Sequence, residues 1–145
     1  MRARWLASVL AASLALSLLS APTAQRLEAK GSRGWIKFWG DGTVEISGRG
    51  SLTIKDASRQ TLEIKGKWGE MKKLADGAEY TDFEGKVHSV GMGIFMELRG
   101  WDLALSHRGV RGKAKFRGEG TVTLNDAPPQ AWVDDPNEWL KLEYP

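Results

Sequence analysis

The chain has 145 residues, enough for one domain with a two-layer core, and no cysteine, which excludes both a disulfide framework and lipid attachment at an N-terminal cysteine. Its formal charge of +3 overstates its basicity, because two arginines lie in the leader and the remainder carries 19 basic against 18 acidic residues. That near-balance excludes the charge density of a nucleic-acid binder.

Residues 1–24, MRARWLASVLAASLALSLLSAPTA, combine two arginines, an apolar run from Trp5 to Leu19 and small residues up to Ala24. This pattern is that of a secretory signal peptide, so a secreted or periplasmic, non-lipoprotein location is expected. Membrane attachment is expected only through this segment, if it is retained, since the apolar run is short for a span of about 20 residues.

Residues 25–34, QRLEAKGSRG, read as a polar lead-in. From Trp35 to Gly66 an eight-residue phrase then recurs almost four times: WIKFWGDG, TVEISGRG, SLTIKDAS, RQTLEIKG. Each phrase alternates apolar and polar residues and closes on glycines or another turn cluster, the signature of a short half-buried strand. Gly40-Asp41-Gly42 and Gly48-Arg49-Gly50 are expected to be hairpin loops. They would pair Trp39 with Thr43, Phe38 with Val44 and Val44 with Ile54. A longer loop over 56–60 would pair Ile54 with Leu62. Ile36, Phe38, Val44, Ile46, Leu52, Ile54, Leu62 and Ile64 would then share one face, leaving Trp35 and Trp39 on the other.

After Gly66 the phrase lapses into a connecting excursion, with room for one helical turn at 70–74. Strands resume at 83–90 and 94–99, with Gly100-Trp101 as a two-residue turn, and the phrase returns at 113–128 with Phe116 facing Val122. Residues 128–145 form an acidic, tryptophan-bearing tail in which Asp135-Pro136-Asn137-Glu138 suggests a helix N-terminus. Residues 139–144 suit a last strand equally well. The expected fold is all-β, with residues 35–127 forming one glycine-repeat domain. Its short antiparallel strands would follow a meander, in a two-sheet sandwich or a rolled barrel, with a β-solenoid as the alternative.

Catalytic material is sparse, with two histidines and no nucleophile motif. His88 and His107 fall beside strand ends, where surface histidines are ordinary. The glycine pairs lack the context of a dinucleotide or calcium loop and read as turns. Asp134, Asp135 and Glu138 suit capping better than a metal, so neither metal nor cofactor is expected. Binding candidates are clearer. Trp35 and Trp39 lie two residues apart on one sheet face, Trp101 sits in a turn, and Lys113, Lys115 and Arg117 form a basic stripe. Coverage of Trp35 and Trp39 by the tail, with Trp132 and Trp139, is expected over open display.

Residues 41–56 and 79–124, with Tyr80, Phe83, Gly85 and the glycines up to Gly120, resemble small secreted glycine-repeat β proteins of bacteria and archaea. That resemblance implies an all-β exported domain and carries over no catalytic residue; the tail after Asn125 departs from it. The expected function is non-enzymatic, structural or interaction-mediating in the periplasm or envelope, with a carbohydrate-binding module as the alternative and a hydrolase third. The expected partner is an envelope polysaccharide or another envelope protein.

Overall fold

The computed structural model describes residues 23–55 and 60–144. Nearly all of the expected signal peptide (1–24) and of the expected loop at 56–60 lies outside the described residues. The described residues form one antiparallel sheet of six strands: β1 (Gln25–Lys55), β2 (Gln60–Lys67), β3 (Glu70–Leu74), β4 (Gly77–Leu124), β5 (Gln130–Ala131) and β6 (Leu140–Tyr144). The outer strands do not pair with one another, so the sheet is not closed into a barrel. The all-β, antiparallel expectation is thus met.

The connectivity differs from the local meander. β1 and β4 run for 31 and 48 residues, straight through the glycines that were expected to reverse the chain. Trp35 pairs with Arg99 on one side and Arg117 on the other, Val44 with Ser89 and His107, and Ile54 with Ala78 and Met96. In each case the two partners lie 18 residues apart in β4. Because β1 is flanked on both sides by the same strand, the two wind together as a coiled ribbon that returns beside itself about every 18 residues. β2 and β3 extend one margin of this coil, and β5 and β6 the other.

The local pairings are thereby corrected: Phe38 faces Met96 and Ala114 rather than Val44, and Val44 does not face Ile54. Trp39 faces Phe95 and Lys113 rather than Thr43, and Phe116 faces Ile36 and Leu140 rather than Val122. Leu62 faces Ser89, and Gly100-Trp101 is strand, not turn. Residues 25–34 are likewise strand, with Leu27 and Ala29 buried. The excursion after Gly66 is β3, joined to β4 by a tight turn at Ala75-Asp76. The tail ends as strand β6.

The glycines serve the coil. Gly34 and Gly50 both have φ +145°, a region closed to residues with a Cβ, and they lie against Gly118 and Gly100 across the strand. A Cβ on Gly34 would run into the Arg117 carbonyl oxygen. Strands can therefore bend sharply and still hydrogen-bond at these crossings, which a hairpin reading of the same residues misses.

Alternation does hold along the ribbon. One row across the sheet reads Leu140, Phe116, Ile36, Leu98, Leu52 and Tyr80, all turned inward. Phe38, Phe83 and Phe116 are the largest fully buried side chains. Burying each contributes about 2–3 kcal/mol, enough to enforce this register over a one-residue slip. Trp132 joins the same core, stacked on Phe116 at 5.3 Å, over a seat cleared by Gly31 and Gly120.

Candidate functional site

The outward residues of the middle strands assemble one surface from both halves of the chain. Along β1 these are Trp35, Lys37 and Trp39. From β4 come Phe95, Glu97 and Arg99 on one side, and Lys113, Lys115 and Arg117 on the other. Strand alternation places all of them opposite the core, and the coiled register brings residues about 60 to 80 positions apart side by side.

At one end, Trp35 is enclosed by cations. The guanidiniums of Arg99 and Arg117 lie 4.7 and 4.9 Å from its ring centre, and the Lys37 ammonium lies 5.1 Å away. Trp139 from the tail meets Trp35 edge-on at 5.3 Å and is itself approached by Arg117 at 4.4 Å. Arg117 also donates to the carbonyl of Pro136, which fixes the tail in place. Such contacts are worth roughly 0.5–2 kcal/mol each and restrain the guanidiniums against the rings.

At the other end, Trp39 meets Phe95 edge-on at 5.2 Å, and the cations over this pair among the described residues are lysines. Lys113 and Lys115 lie 5.0 and 5.5 Å from Trp39, and Lys55 lies 5.2 Å from Phe95. Both rings line a cleft of about 630 Å³ that also includes Asp41, Arg111, Gly93, Glu143 and Tyr144. Its size is that of a small-molecule pocket. Asp41 is fixed there: one carboxylate oxygen accepts from Arg111 at 2.6 Å and the other from the Gly93 amide at 2.8 Å.

Charge on this face is largely uncompensated. Lys37 lies 3.8 Å from Glu97, but among the described residues no carboxylate reaches ion-pair distance of Arg99, Lys113, Lys115 or Arg117. The acidic tail passes close, with Asp134 and Pro136 beside Arg99 and Arg117, yet it docks through Trp139 and a backbone carbonyl rather than its acids. Asp135 accepts from the Asn137 amide at 2.8 Å, making a local turn. The capping contact expected there is present without the helix.

The sequence candidates Trp35, Trp39, Lys113, Lys115 and Arg117 therefore share one face. Trp101, 55% exposed, is one outward pair further along, opposite Arg33, and lines a groove that reaches Arg99. Lys113 and Lys115 lie on an inner strand, flanked by β1 and β6. The tail covers Trp35 through Trp139, whereas Trp132 lies in the main core and Trp39 lines the open cleft. Lys37, Lys55, Phe95 and Arg99 were missed. Their outward parity was legible in the alternation, but their partners lie far away in sequence.

His107 corrects the surface reading. It is fully buried, tilted against Phe38 at 4.5 Å, and its Nε2–H donates to the Asp41 carbonyl at 2.8 Å. That tautomer leaves Nδ1 to accept from the Tyr144 hydroxyl. Burial pushes His107 below its usual pKa, partly offset by the Asp41 carbonyl, and pushes the Tyr144 phenol well up. Both are neutral, and both pin β6. His88 is a surface group 3.6 Å from Glu45, whose carboxyl is held below its usual range chiefly by Lys86 at 3.0 Å.

Among the described residues no three or more metal-ligating side chains converge, and no helix is long and apolar enough to cross a membrane. Compared with family models, curated proteins and solved structures, the chain matches none.

Proposed function

We propose that this chain is an exported, non-enzymatic β domain of the glycine-repeat kind that mediates interactions in the periplasm or envelope. Its basic, aromatic outer face is the binding surface, and the partner is polyanionic. One observation carries the reading: Arg99 and Arg117 are held against Trp35 with no carboxylate in ion-pair reach among the described residues. Guanidiniums stacked this way lose little freedom when they grip a carboxylate, sulfate or phosphate two-pronged.

Burial of His107 and its commitment to Asp41 and Tyr144 support a non-catalytic reading, since neither ring nitrogen is left for proton transfer. The signal-like leader supports export. Retention on dextran sulfate at increasing salt tests the proposal. Wild type is expected to elute late and Arg99→Gln/Arg117→Gln early, whereas coelution of the two proteins would sink it.

A further inference from the structure

The two outward tryptophans are not equivalent, and the difference identifies a ligand. Both rings are half-buried, but Trp35 is already engaged by two guanidiniums, an ammonium and Trp139. Trp39 has flexible lysines over it and forms, with Phe95, part of the lining of an open cleft.

The cleft offers three kinds of contact. Aromatic carbon is supplied by Trp39 and Phe95, and cations by Lys55 and Lys113. A carboxylate acceptor comes from Glu143, which neighbours Lys113 across the strand yet stands in no ion pair among the described residues. A fully ionised polyanion would use the lysines but would meet repulsion at Glu143, and a phosphate headgroup would offer no ring C–H face to Trp39 and Phe95. A neutral sugar would use the rings and Glu143 but waste the lysines. A sugar carrying both hydroxyls and a carboxylate uses all three: C–H bonds on the indole, hydroxyl donors to Glu143, carboxylate to the ammoniums.

Building on the polyanion reading, we infer that the Trp39 cleft is a subsite for one hexuronate unit of an acidic polysaccharide. The flanking Arg99 and Arg117 then act on neighbouring anionic units of the same polymer. Lysines suit the cleft because a point charge on a flexible stem adapts to a carboxylate whose position varies with ring pucker, while fixed guanidiniums suit the tighter cage.

Calorimetric titration of the full chain with a short oligogalacturonate tests this, alongside a neutral oligogalactoside of equal length, inorganic phosphate and phosphatidylglycerol vesicles. The expected result is saturable binding of the oligouronate alone. Lys55→Gln/Lys113→Gln should weaken it about tenfold or more, with a similar loss for Trp39→Ala. Glu143→Gln should weaken the oligouronate without weakening retention on dextran sulfate. Lys55→Gln/Lys113→Gln keeps most of each aliphatic stem on the rings and loses only the ammonium contacts, so a native circular-dichroism spectrum and a cooperative melt separate a binding loss from misfolding. Wild-type affinity in that variant, equal binding of the neutral sugar, or binding of vesicles or phosphate in place of the oligouronate would each overturn the inference. If dextran sulfate is retained through Arg99 and Arg117 while the oligouronate titration stays flat, the hexuronate subsite falls and the polyanion face stands. If neither binds, both fall.

Discussion

Trp35 and Trp39 sit two residues apart on the same side of the same strand, and sequence alone treats them alike. In the fold, one is the centre of a cage of cations and the other forms part of the wall of a cleft. Their cross-strand neighbours make the difference. Arg117 and Arg99 flank the first, Lys113 and Phe95 the second, and the tail adds Trp139 only to the first. A ring stacked by guanidiniums is held as structure, whereas a ring beside mobile ammoniums stays accessible. Aromatic residues on a sheet face therefore cannot be ranked as binding residues before the strands beside them are known.

The contrast can be broken hardest at the backbone. Gly34, beside the cage, has no room for a methyl group and a φ that L-residues rarely adopt, so Gly34→Ala should cost roughly 3 kcal/mol or more. Gly93, beside the cleft, has φ +65° and nothing within 4 Å of its would-be Cβ, and Gly93→Ala should cost only about 1 kcal/mol. Urea denaturation of the two variants would show the ratio; equal losses would contradict the contrast. At the side-chain level, Trp35→Ala should cost about 2–3 kcal/mol and Trp39→Ala about 1 kcal/mol, because only the former empties a packed cage.

Acid should distinguish the two ends as well. His107 and Tyr144 lie under the cleft, not under the cage, together with the Asp41 carboxylate and Arg111. Burial lowers the His107 pKa, so the unfolded chain takes up the proton first. Stability is therefore present above the ordinary histidine value of about 6.5 and is lost as pH falls below it. Hydrogen exchange at pH 5 should open β6 and residues 112–116 before residues 98–100. Tyr144→Phe, which leaves Nδ1 without its donor, should already cost about 1 kcal/mol at pH 7. The smallest effect belongs to the Lys37–Glu97 pair, where Glu97→Gln should change stability by about 0.5 kcal/mol in thermal melts.

Much of the core was legible beforehand. Ile36, Phe38, Val44, Ile46, Leu52 and Ile54 are all buried, as alternation requires, and Leu62 and Ile64 pack partly against them. The local pairings were not legible, because a glycine pair that lets a strand reverse is the same pair that lets it bend and run on. His107 was misplaced for a related reason: in LSHRGVRG it resembles a strand end only if Gly109 closes a hairpin, and instead Gly109 lies within β4.

Period-two alternation is local chemistry, so the sequence by itself determined that the chain would be β and which side of each strand would meet water. Which strand lies beside which is a long-range choice between hairpin and coil, decided only when the hydrophobic rows of distant segments come together. The cage, the cleft and the buried histidine all follow from that choice, since each is made of residues that meet only across the wound ribbon.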